Sequence, residues 1–150
     1  PTATAMAIKG NRIMAVGGDD VRSLAGKATR MVDLKGVMAS LGKTRAVHKW
    51  DDLLGAPARL VKGTLAGGHP LLVLDAPALF AREGGPYADA AGRDWEDNWR
   101  RFAALARAAA ELAGGAVKGQ RFDLVHAHDW QTGLTPAYLA FGGVAVPSVM

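Results

Sequence analysis

Short apolar blocks open the chain. Ala5-Met6-Ala7-Ile8 and Ile13-Met14-Ala15-Val16 flank Lys9-Gly10-Asn11-Arg12, and Gly17-Gly18 closes the second block. This spacing predicts a β-hairpin. Asp19 or Asp20 is placed to cap a short helix over residues 21–25, which Gly26 ends. Residues 29–34 read as a third strand. Residues 37–41 read as the tail of a helix stopped by Gly42. Residues 58–63 form the next strand candidate, followed by a turn at Gly67-Gly68. Pro70-Leu71-Leu72-Val73-Leu74-Asp75 is a continuous apolar run, the pattern of a strand buried on both faces, and Ala76-Pro77 ends it.

Residues 81–96 are rich in loop formers. The clearest helix is predicted over residues 95–112. Trp99, Phe102, Ala103, Ala106, Ala109, Ala110 and Ala113 recur at spacings of three and four and make one apolar face. Arg100, Arg101, Arg107 and Glu111 fall largely off that face. Asp94 is the expected N-cap, with Glu96 and Asp97 in the first turn. Gly114-Gly115 closes the helix. A strand over residues 124–126, a helix to about Phe141 and a strand over residues 146–150 follow. This β-α-β-α-β order predicts an α/β fold, a partial Rossmann-like parallel sheet preceded by the short hairpin. The abrupt last strand reads as that of an incomplete or cut chain. No internal repeat or low-complexity linker is visible.

Composition changes this picture little. The 150 residues are 49% hydrophobic and 21% charged, ordinary for a globular domain. Cysteine is absent, so disulfides and thiolate metal sites are excluded. No apolar run approaches the ~18 residues of a membrane span. No basic start leads into an apolar stretch, so no signal peptide is expected. A cytoplasmic protein fits these features, with no membrane or nucleic-acid partner. The net charge of +4 lies mainly in residues 1–36. It lacks the aromatic interleaving of a nucleic-acid surface and reads as a solvated face.

Candidate chemistry concentrates in Asp123-Leu124-Val125-His126-Ala127-His128-Asp129-Trp130. An apolar strand ends there in two histidines, an acid and an aromatic. A strand in an open α/β sheet delivers ligand-facing side chains in this way, at its carboxyl end. His128 reads either as a donor to a ligand or as a bond to a backbone carbonyl. His126 projects on the same side and takes a structural role. Asp129 reads as a cap or loop anchor, and Trp130 as packing rather than a sugar platform. Asp97 reads as a ligand-facing carboxylate or as a stabiliser of the helix N-terminus. His126 and His128 also have the spacing of a metal pair, but two ligands fall short of the usual three or four. His48 and His69 lie in ordinary surface-like contexts. The three Gly-Gly pairs do not form a Gly-x-Gly-x-x-Gly phosphate loop.

From Val37 to Met150 the wording, above all His126-Ala127-His128-Asp129-Trp130, resembles bacterial glycogen synthases and the related starch synthases. The resemblance implies half of a GT-B glycosyltransferase, the incomplete N-terminal, acceptor-side domain. It implies transfer of glucose from ADP-glucose or UDP-glucose to α-1,4-glucan with retention, no cofactor and no metal at the reaction centre. His128 falls on the family's sugar-contacting histidine, and is the catalytic candidate. Asp97 and Asn98, in Asp97-Asn98-Trp99-Arg100-Arg101-Phe102, fall with it on the substrate-binding positions. The family's Lys-x-Gly-Gly-Leu loop would precede Val37 and is missing, so the chain by itself is expected to be inactive.

Residues 1–36 instead resemble the start of amidohydrolase-superfamily enzymes. Ala7-Ile8-Lys9-Gly10-Asn11-Arg12-Ile13-Met14-Ala15-Val16-Gly17 and Val32-Asp33-Leu34-Lys35-Gly36 carry that likeness, without the family's later His-x-His pair. A join between Gly36 and Val37, natural or artificial, is therefore expected. Two alternatives stand beside the first reading. One is a non-catalytic glucan-binding or assembly module, and the other is a fragment of a metal-dependent amidohydrolase-related hydrolase.

Overall fold

The structure is a computed structural model, and it describes residues 5–9, 12–17, 41–65, 68 and 70–150. The predicted helix over 21–25, the strand over 29–34 and residues 37–40 of the helix tail lie outside the described residues. So do Gly10 and Asn11 of the predicted turn. The chain divides into two compact units, Pro1–Val37 and Met38–Met150.

In the first unit, β1 (Ala5–Lys9) and β2 (Arg12–Gly17) pair antiparallel, as the apolar blocks predict. The register shifts between Ala7 and Ile8, so the ladder carries a bulge.

The second unit begins with three strands. They are β3 (Arg45–Trp50), β4 (Ala58–Thr64) and β5 (Pro70–Asp75), in the order β3-β4-β5. Both pairings are antiparallel, which corrects the expected parallel arrangement of these strands. The reason is length. Only residues 65–69 join β4 to β5, and a parallel crossover needs about a dozen residues or more. Gly68 N donates to Leu65 O at 3.0 Å inside this short turn. β5 is also half-buried rather than buried on both faces, and among the described residues it pairs with β4 alone. β3 was not expected. Its sequence Arg45-Ala46-Val47-His48-Lys49-Trp50 buries only Trp50 and so has no strong apolar pattern.

A one-turn helix, α1 (Pro77–Phe80), follows β5 and buries Leu79. The main helix, α2, spans Asn98–Ala113 and starts three residues later than predicted. Asp94 is not its cap; Asp97 occupies that position. The buried side is Arg101, Ala103, Ala104, Ala106, Ala108 and Ala110. Trp99, placed by periodicity on the apolar face, is 70% exposed. Ala104 and Ala108 pack into a core with Trp50, Leu53, Leu60, Ala76, Leu79 and Val117. The small side chains of the helix leave room in this core for the bulk of Trp50, Leu53 and Leu79. Arg100 adds a polar clamp, because its Nε donates to Leu54 O. Gly55 lies under that guanidinium at φ +84°, where a Cβ would collide with it.

Trp50 ties β3 to the far end of α2. Its Nε1 donates to Glu111 Oε2 at 2.6 Å, and Arg107 Nε donates to Glu111 Oε1 at 2.8 Å. Burial alone would raise the Glu111 carboxyl. The hydrogen bonds from Trp50 and Arg107 outweigh it and hold the group below the usual range.

The chain then forms β6 (Val125–His126), a 3₁₀ turn (Trp130–Thr132), α3 (Thr135–Phe141) and β7 (Ser148–Val149). β6 and β7 pair parallel, with α3 in the connection between them. This is the β-α-β unit the sequence predicts, with shorter strands. The structure is therefore mixed α/β, with a parallel pair beside an antiparallel meander. No helix among the described residues is long and apolar enough to cross a membrane.

Two consequences are measurable. Ala104 is fully buried, so Ala104→Leu overpacks the helix–sheet contact and lowers stability by about 1–3 kcal/mol in urea denaturation. Trp50→Phe removes a hydrogen bond to a carboxylate and costs about 1–2 kcal/mol at pH 7. Because the folded Glu111 carboxyl is depressed, its contribution is present above its unfolded pKa, about 4.3, and is lost as pH falls through the folded value. The Trp50→Phe deficit therefore shrinks in acid to a pH-independent packing remainder, as thermal melts across pH 7 to 3 will show.

Candidate functional site

The carboxyl end of β6 leads directly into a tight polar turn. Ala127 is buried, and its N–H donates to Val149 O at 2.8 Å. The chain leaves the sheet at His128. His126 and His128 are both exposed, and their rings lie 4.0 Å apart between centroids, tilted by 34°. The i and i+2 spacing on a strand accounts for this proximity. Among the described residues, no three His, Asp or Glu side chains converge as metal ligands.

Asp129 adopts φ 62° and ψ 177°, a region otherwise nearly confined to glycine. Such a conformation costs on the order of 1–3 kcal/mol and persists only where neighbours hold it. Here the Asp129 carboxylate accepts the Trp130 N–H at 2.7 Å, and Thr132 Oγ1 donates to His128 O at 2.7 Å. Asp129 is thus a cap and loop anchor, as its position suggested.

Trp130 carries the turn onto α2. Its ring meets Phe102 edge-on at 4.8 Å and Tyr87 at 5.8 Å, while Tyr87 and Phe102 lie 5.9 Å apart. Gln131 Nε2 donates to the Tyr87 hydroxyl. Trp130 nevertheless stays 58% exposed. It packs on one side and presents an open indole surface on the other, so the expected choice between packing and platform does not arise.

Asp97 and Asn98 sit side by side at the start of α2. Asp97 makes no capping bond. Its carboxylate instead accepts two bonds from Arg82, at 2.6 and 2.5 Å. The Arg82 hydrogen bonds hold the Asp97 carboxyl below its ordinary range, against a smaller opposing effect of burial. The fork geometry explains the preference for this pair over a backbone N–H. Asn98 is held at both ends of its amide: Nδ2 donates to Tyr87 O at 2.7 Å, and Oδ1 accepts from Arg101 Nη1 at 2.7 Å. Arg82 also lies over the Trp95 ring, 5.1 Å from its centroid. An open cleft of about 440 Å³ is lined by Arg82, Asp89, Arg93, Asp94, Trp95, Glu96 and Asp97. Asp89 orders its rim by accepting the N–H groups of Ala91 and Arg93, at 2.9 and 3.0 Å.

Among the described residues no hydrogen bond joins His128 to Asp97 or Asn98. The two groups are connected through Trp130, Phe102 and Tyr87. Arg82, Tyr87 and Gln131 had not been singled out in the sequence, because their partners lie 15 or 44 residues away. Arg101 had been placed off the apolar face and is in fact 4% exposed.

The family described as starch synthase catalytic domain matches residues 4–149. The match runs through the expected join between Gly36 and Val37. The chain is 60% identical over 129 residues to the glycogen synthase of Novosphingobium aromaticivorans, covering 83% of this chain and 26% of that protein. It is 52% identical over 116 residues to glycogen synthase 1 of Rhizobium meliloti, covering 76% and 24%. It is 56% identical over 98 residues to the glycogen synthase of Granulibacter bethesdensis, covering 65% and 20%. The chain thus spans about a quarter or less of the length of these curated relatives.

Arg82→Ala tests the electrostatics of the helix start. The folded Asp97 carboxyl is depressed, so the ion pair stabilises above the unfolded pKa of about 3.9 and is lost as pH falls through the folded value. In Arg82→Ala the Asp97 carboxyl is expected to titrate nearer ~3.9 by carbon-13 NMR. An unchanged titration contradicts the assignment.

Proposed function

This chain belongs to the starch synthase catalytic-domain family, and on that premise we propose that it carries the acceptor-side face of a retaining glucosyltransferase. The activity is extension of α-1,4-glucan from ADP-glucose. The observation that carries the reading is the aromatic bridge, in which Trp130 ties the His128 turn to the helix start bearing Asp97 and Asn98.

Each side chain has a definite task in this reading. His128 lies exposed at a strand end, and an imidazole N–H there donates to a glucose hydroxyl near the reacting carbon. The open indole of Trp130 accepts the apolar face of a glucose ring. Each Asp97 oxygen receives one bond from Arg82 and keeps acceptor capacity for a sugar hydroxyl. Asn98 holds Tyr87 O and keeps a second amide N–H for a sugar hydroxyl. No metal or cofactor takes part. The finer architecture belongs to the same proposal: residues 37–150 form the acceptor-side, Rossmann-like half of a GT-B fold. Residues 1–36 are a separate amidohydrolase-like segment with no assigned part in sugar binding. The reading includes a cytoplasmic location.

Calorimetric titration of the 150-residue chain with maltoheptaose tests this function. His128→Ala and Trp130→Ala are each expected to weaken binding about ten-fold, equal to about 1.4 kcal/mol, with an unchanged circular dichroism spectrum. A parent chain that binds no maltoheptaose contradicts the reading. Given radiolabelled ADP-glucose and glycogen primer, the chain by itself is expected to incorporate no label. Preorganised positive charge at the leaving diphosphate is a main catalytic contribution in such transfer, and this acceptor-side face does not provide it.

A further inference from the structure

Arg101 lies inside the protein at 4% exposure, and among the described residues no carboxylate hydrogen-bonds to it. Its Nε donates to Leu79 O at 2.8 Å. Its Nη1 donates to Pro86 O at 2.8 Å and to Asn98 Oδ1 at 2.7 Å. The guanidinium carbon sits 5.5 Å from the Phe80 ring centroid and 5.6 Å from that of Phe102. Burying a cation is costly even where the nearby Asp97 carboxylate offsets part of the cost, and a well-packed apolar residue commonly does as well or better for stability. The placement therefore calls for a reason other than stability.

The partners of Arg101 supply one. Phe102 is the ring that Trp130 meets edge-on. Asn98 and Pro86 flank Tyr87, whose carbonyl accepts from Asn98 Nδ2 and whose ring faces Trp130. Both walls that touch Trp130 thus converge on one guanidinium. We infer that Arg101 is a positioning residue, which locks Tyr87 and Phe102 so that Trp130 presents its open face in the same turn as His128. The inference deepens the sugar-binding reading and rests on it for the ligand, a glucan. Lysine cannot replace Arg101 here, because a compact ammonium on a flexible stem lacks the planar fork that spans Leu79 O, Pro86 O and Asn98.

Arg101→Lys and Arg101→Met in the 150-residue chain, each with and without Trp130→Ala, test the inference. In the first arm, NMR contacts from the Trp130 ring to Phe102 and Tyr87 are expected to weaken in both variants. The cross-strand contact between Leu60 and Leu74 is expected to persist. In the second arm, Arg101→Lys is expected to weaken maltoheptaose binding about ten-fold beside Trp130 and less than two-fold in the Trp130→Ala background, a coupling that general destabilisation does not produce. Intact Trp130 contacts in both variants overturn the inference, as does an equal loss of affinity in both backgrounds. If the parent binds no maltoheptaose, the sugar reading fails and the contact arm alone decides the positioning role. Should Arg101→Met not fold, Arg101→Lys, which keeps the charge, carries the test.

Discussion

The edge-on contact of Trp130 with Phe102 is the constraint on which the candidate site depends. Phe102 belongs to α2, and Trp130 opens the turn after β6. Without that contact, the strand end bearing His128 and the helix start bearing Asp97 would be separate polar surfaces. With it, the strand end and Asn98 at the helix start meet through one aromatic cluster completed by Tyr87, while Asp97 lines a cleft with Arg82 and Trp95. An edge-to-face aromatic pair adds about 0.5–1.5 kcal/mol beyond its buried area. That is comparable to the strain held in the Asp129 backbone, so the turn and the aromatic cluster stabilise each other.

The core behind α2 sets small helix side chains against bulky partners. Ala104 and Ala108 leave room there for Trp50, Leu53 and Leu79. Arg100 and Glu111 then fasten its two ends to the β3–β4 loop and to β3. A helix anchored at both ends is a rigid support for the groups at its N-terminus. Rigid support matters because recognition of a flexible, polar sugar gains from groups already in place.

What the sequence made legible around the candidate site is local geometry. His126, Ala127 and His128 alternate at a strand end, and that pattern alone places two imidazoles on one side. Asp97 and Asn98 precede a clear alanine-rich periodicity. The antiparallel meander was less legible, since an unbroken apolar run such as residues 70–75 reads equally as an inner parallel strand. β3 was invisible because only one of its six residues is buried. Arg101 was misplaced because periodicity assigns arginine to solvent, whereas here carbonyls from residues 79 and 86 satisfy it. Those carbonyls become partners only after the chain has turned back on itself.

Whether the His128 turn and the start of α2 face the same ligand, as proposed, can be read residue by residue. Amide and indole NMR shifts of the nitrogen-15-labelled chain, followed during addition of maltoheptaose, test it most directly. His128, the Trp130 indole, Tyr87, Asp97 and Asn98 are expected to shift together along one binding curve, while β3, β4 and β5 stay still. Shifts confined to one of the two groups, or centred on the β-meander, would contradict it.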